Sequence, residues 1–211
     1  MNDAGTTPSR LFGAAAIAGP ALLLGGAVAW ATGGGPNQDE LGGALYVYAF
    51  IAMTLVAIGI ARTVEQALPR ASAALLAVAV LGCAGGVGFG IDSIHAGVPG
   101  GAGLEEIGGT AGAIGLLVPG AIFPLSFIAL GIALWRARVT PRMSGPALAV
   151  AGVLFPAGNV PDIEAIAIAS NAMFAVALWP LGVAWLRKPR TEAAAGDVSA
   201  GTARELASTV A

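Results

Sequence analysis

Six times along the chain an apolar run close to the length of a membrane crossing gives way to a short polar turn, and soluble packing layers do not produce that rhythm. The runs cover residues 11–31, 41–61, 72–95, 114–135, 144–160 and 163–186. The first has 21 residues, which at helical rise is roughly 30 Å, one hydrocarbon core. The fifth, near 17 residues, is at the short limit and is interrupted by Pro156, Gly158 and Asn159. Of the 211 residues 56% are hydrophobic and only 10% charged, against about 25% charged in an average soluble protein. The 32 glycines and 13 prolines agree with this, since both residues are more frequent in membrane helices than in soluble ones.

Charge placement gives an orientation without using hydropathy. With the N-terminus in the cytoplasm, all ten basic residues fall on the cytoplasmic side: Arg10, Arg62, Arg70, Arg136, Arg138, Arg142, Arg187, Lys188, Arg190 and Arg204. The other side carries Asp39, Glu40, Asp92, Glu105, Glu106, Asp162 and Glu164, with no basic residue. The expected fold is therefore an all-α polytopic bundle of six transmembrane helices with both termini inside. Residues 1–10 form a cytoplasmic segment, 11–190 the membrane domain, and 191–211 a disordered tail. An alternative takes the first run as a secretory signal, cleaved at Ala27-Val28-Ala29 or Ala29-Trp30-Ala31. Charge placement is compatible with both. A three-plus-three inverted repeat finds no residue-by-residue match between the halves.

The third run, SAALLAVAVLGCAGGVGFGIDSIH, closes on the only histidine of the chain. At 100° per residue Gly82, Gly86 and Gly90 share one side, and Gly85, Gly88, Asp92 and His95 another. Glycines at this spacing let neighbouring backbones approach, which predicts two packing faces and a place for this helix near the bundle centre. Cys83, Val87, Ile91 and Ile94 are left for lipid. A glycine-rich loop is expected over 96–113, and a kink at Pro119 or Pro124 in the fourth run.

Several classes of chemistry are excluded by what is missing. The formal net charge of −2 leaves no basic face for nucleic acid. A single cysteine makes no internal disulfide, and CxxC, Walker and HExxH patterns are absent, so no cofactor or metal centre is expected. What remains is Asp92 and His95, three residues apart, where a carboxylate can accept from the imidazole and raise its pKa. They are the candidates for acid and base, and with Glu105, Glu106 and Asn171 for ligand binding. Asn171 lies about eight residues into the sixth run, roughly 12 Å from its outer end. The acids of that side also offer oxygen ligands of the kind calcium takes, without an EF-hand pattern. Ser126 has no base placed beside it by spacing. The tryptophans at 30, 135, 179 and 185, with Tyr46 and Tyr48, read as interface anchors.

The stretch IALWRARVTPRMSGPALAVAGVLFPAG, residues 132–158, resembles small multi-span integral membrane proteins of bacteria that carry no assigned activity. The resemblance implies a bacterial inner-membrane location and transfers no functional residue. The sequence favours a multi-pass membrane module that binds, transports or senses a small molecule or cation through an acidic outward vestibule, with the lipid bilayer as its constant partner. The alternatives are a membrane-embedded enzyme using Asp92 and His95 on a lipid-soluble substrate, and a structural subunit whose glycine faces serve another protein. Oligomeric state is open.

Overall fold

A computed structural model describes residues 6–33, 39–139 and 141–187, without the side chains of 6–8, 105, 113, 116 and 117. The expected tail at 191–211 lies outside the described residues, as do residues 1–5, Lys188, Arg190 and Arg204. Among the described residues there are only helices: α1 (Thr6–Thr32), α2 (Glu40–Val64), α3 (Pro69–Gly97), α4 (Leu104–Arg136), α5 (Ser144–Asn159) and α6 (Glu164–Leu186). Five of them contain stretches long and apolar enough to cross a membrane: Ser9–Thr32, Glu40–Val64, Pro69–Gly97, Val118–Arg136 and Glu164–Leu186. Helix α5 has 16 residues, about 24 Å, short of a full hydrocarbon core.

Each helix packs on its neighbours in sequence, and α6 returns to pack on α1, so the bundle closes on itself. The α1–α6 seam is held by Gly13 against Gly182, by Phe12 edge-on to Trp185, and by Trp179 Nε1 donating to Ile17 O at 3.1 Å. Small residues make the other close crossings as well. Gly43 of α2 meets Gly90 of α3, and Gly131 of α4 meets Gly145 of α5, each pair reciprocally.

The third helix is not central, and the expectation from its glycines is corrected here. Half of the apolar window of α2 and of α6 is buried, but only 33% of that of α3. Helix α2 touches α4 directly, and α3 lies against both from the outside. Its glycines do make two close faces, with a different partition from the one expected: Gly82 and Gly85 face Phe123 and Pro119 of α4, while Gly86 and Gly90 face Phe50 and Val47 of α2. Gly88 is half-buried. Cys83, assigned to lipid from the sequence, is fully buried.

The expected loop at 96–113 is shorter, because helix resumes at Leu104. The backbone of α4 leaves helical dihedrals at Gly109, with φ 52° and ψ −136°, a conformation open to glycine, and Pro119 and Pro124 lie inside the helix beyond it. The other end of α4 closes on a Schellman motif. The Val139 N–H donates to Leu134 O at 3.2 Å and the Arg138 N–H to Trp135 O at 3.1 Å. Arg138 occupies the left-handed position at φ 53°, where a residue with a Cβ is worse by about 1–2 kcal/mol than one without.

The alternating helices separate the charges between two ends of the bundle. Helices α2, α4 and α6 all start at the acidic end, where Asp39 accepts from the Gly42 N–H and Glu40 and Glu164 sit in first turns. Arg62 and Arg136 lie in the last turns of α2 and α4, and Arg187 caps α6. Acids at N-termini and cations at C-termini both complement the helix dipoles. This local electrostatics accounts for much of the acid excess at one end.

Candidate functional site

One layer of buried polar groups, made by Trp30, Tyr46 and Asn171, lies near the acidic end of the bundle. Tyr46 of α2 is fully buried and stacks on Trp30 of α1 with ring centroids 4.2 Å apart and 14° between planes. Glycine makes the stack fit from both sides: the Tyr46 ring lies over Gly26 of α1, and the Trp30 ring over Gly42 of α2. Across the bundle Asn171 of α6, also fully buried, donates from Nδ2 to Tyr46 Oη at 2.8 Å. Among the described residues its Oδ1 and the Trp30 Nε1 have no hydrogen-bond partner. Whichever way the amide is turned, one of its polar ends meets Tyr46 and the other stays free. An unpaired buried donor and acceptor each cost about 1–3 kcal/mol, so this layer is polar beyond what packing needs.

Directly beneath lies an apolar plug. Phe50, Phe123, Phe155 and Phe174, from α2, α4, α5 and α6, meet mostly edge to face at centroid distances of 4.7 to 6.4 Å, and Phe127 joins them. Phe50 is one turn below Tyr46 and Phe174 one turn below Asn171, so the plug forms the floor of the polar layer. Above it a small cavity lined by Ala27, Trp30, Gly158, Asn159, Asp162, Glu164 and Ala167 has room for about one water. Asp162, in the α5–α6 turn, is mostly exposed, but nearby apolar surface desolvates its carboxyl and raises its pKa above the ordinary value.

The residues singled out from sequence are dispersed. Asp92 Oδ1 accepts from the Leu104 N–H and so caps α4, whose own cap position, Gly103, has no side chain. His95 is exposed, and among the described residues no hydrogen bond or ion pair joins it to Asp92. Glu106 is exposed in the first turn of α4, and the Glu105 side chain lies outside the described residues. No three Asp, Glu, Cys or His side chains come together among the described residues. Ser126 donates to Phe123 O at 2.7 Å and Ser170 to Ala167 O at 2.9 Å, both as local helix bonds. Of the ligand-binding candidates whose side chains are described, Asn171 alone is buried.

Sequence reasoning missed Tyr46 and Trp30 by treating them as interface anchors. Trp185 is buried too, whereas Trp135, Trp179 and Tyr48 are exposed at 64%, 43% and 65%. A usable signal was present: Gly26 precedes Trp30 by four residues and Gly42 precedes Tyr46 by four, one helical turn in each case. No family model, curated protein or solved structure matches the chain.

Proposed function

We propose that the chain is a multi-pass bacterial inner-membrane protein of six spans, with both termini cytoplasmic, that binds a small polar or cationic molecule at the Tyr46–Asn171–Trp30 layer. The observation that carries this reading is that two side chains in contact with Tyr46, Asn171 and Trp30, each keep a buried polar atom without a partner among the described residues, the amide oxygen and the indole N–H. A bound molecule with a donor for the amide oxygen or an acceptor for the indole N–H would supply what the packed chain leaves out. The acidic end above it favours neutral and positively charged molecules. With the plug packed as it is, the reading is of a binding or sensing unit, or a carrier in an occluded state, and not of an open pore.

Orientation rests on the basic residues at the end that holds the 65–68 turn, and the sixth span on α5 packing between α4 and α6. The enzyme reading loses support because Asp92 is engaged by a backbone N–H. The structural-subunit reading loses support because the α3 glycines are filled from within the chain.

Native mass spectrometry from mild detergent tests the binding. The wild type is expected to carry an added small mass that the double variant Tyr46→Phe/Asn171→Leu lacks while remaining folded. Bare masses in both proteins would make the layer a helix-to-helix bond and nothing more. A reporter fused into the 65–68 turn is expected to read as cytoplasmic; an external signal would invert the topology.

A further inference from the structure

The basic end of the bundle carries a second feature that the polar layer does not use. Arg136, Arg138 and Arg142 line one open cleft of about 930 Å³ at the α4–α5 turn, together with Trp135, Val139, Met143 and Pro146. All three arginines are exposed, and among the described residues none is held by a carboxylate. The only described acid at this end is Glu65, in a different turn. The two helices that carry the cleft are held close by the Gly131–Gly145 crossing, where Gly145 lies against the backbone of Trp135.

We propose that this cleft is a binding site for the phosphate-bearing headgroup of an anionic phospholipid. Guanidinium groups form planar, paired hydrogen bonds with phosphate oxygens, and basic pockets between membrane helices hold anionic headgroups. The rim selects a lipid over a free phosphate. Trp135 and Met143 are 64% and 74% exposed at the mouth, placed to meet glycerol and acyl carbons. Helix α5, of 16 residues, is shorter than the hydrocarbon core, and a short span thins the bilayer around it and draws headgroups toward its ends.

The backbone supplies an independent argument. Arg138 holds the left-handed position that ends α4, in a chain with 32 glycines to choose from. A charged side chain kept where local conformation favours glycine points to a use for that side chain.

The test is native mass spectrometry of the purified full chain in mild detergent, mixed with phosphatidylglycerol or phosphatidylcholine. Phosphatidylglycerol is expected to be retained on the order of tenfold more, and Arg136→Gln/Arg138→Gln/Arg142→Gln to remove that preference. Arg62→Gln/Arg70→Gln, which removes the same kind of charge from the same end, is expected to keep it. Arg138→Gly is expected to raise the melting temperature while lowering lipid retention, a pair of opposite changes that a purely structural role would not give. Unchanged retention in the triple variant, or an equal loss in Arg62→Gln/Arg70→Gln, would overturn the proposal. Displacement of the lipid by millimolar inorganic phosphate would overturn it too, reassigning the cleft to a soluble anion.

Discussion

Gly85→Ala is expected to destabilise the protein by about 2–3 kcal/mol, while Gly120→Ala, on the far side of the same helix contact, is neutral or stabilising by up to about 1 kcal/mol. A Cβ at Gly85 would lie 2.4 Å from the carbonyl carbon and the Cβ of Pro119 and 2.7 Å from its oxygen. Those are backbone and ring atoms that cannot rotate away, so α3 must move off α4, and the Gly82 contact with Phe123 opens with it. Gly120 has nothing within 4 Å of its virtual Cβ, so there the added methyl only improves helix propensity. Thermal unfolding of the two purified variants in one detergent decides the matter. Equal shifts would mean that the α3–α4 crossing is looser than described.

The second large effect is a coupling. Tyr46→Phe strands both ends of the Asn171 amide, and Asn171→Leu strands the Tyr46 hydroxyl; each is expected to cost about 1–3 kcal/mol. In the double variant neither position leaves a polar group stranded by the loss of the other, so the loss should be well below the sum of the two. Interhelical hydrogen bonds in membranes average only about 0.6 kcal/mol in such cycles, because the unfolded chain in lipid finds other partners. Here both residues are fully buried over an aromatic floor, and a coupling of about 1 kcal/mol or more is expected. Additive losses would show that the two side chains do not depend on each other. The same double variant keeps the fold for the ligand measurement, which separates a binding defect from an unfolded protein.

The sequence marks the positions of the helices closely, because a run of apolar residues is a local property. The observed α2 and α6 start and stop within a few residues of the apolar runs at 41–61 and 163–186. What it hides are relations between distant residues. The i, i+3 spacing of Asp92 and His95 shows that they can meet, but the carboxylate goes to a backbone N–H twelve residues further on, which no periodicity displays. Counting glycines in the third run measures how closely its neighbours approach, not how many there are, and so α3 is glycine-rich and peripheral together. Trp30 and Tyr46 look like anchors when judged by distance from a helix end. Only the glycine one turn before each shows that another ring has to fit there.

The closed order of the bundle also bears on how the protein is made. Of the helices in the bundle α1 leaves the ribosome before the others, and its second neighbour, α6, after them. Until Gly182, Trp179 and Trp185 arrive, Gly13, Ile17 and Phe12 face lipid or the insertion machinery, with α2 as their one partner from the chain. Insertion of the early spans therefore precedes final docking by the synthesis of the helices that lie between α1 and α6. A nascent chain stopped before residue 164 would leave both α1 and α5 with an open side, a pair of surfaces that quality-control proteases and holding factors can recognise.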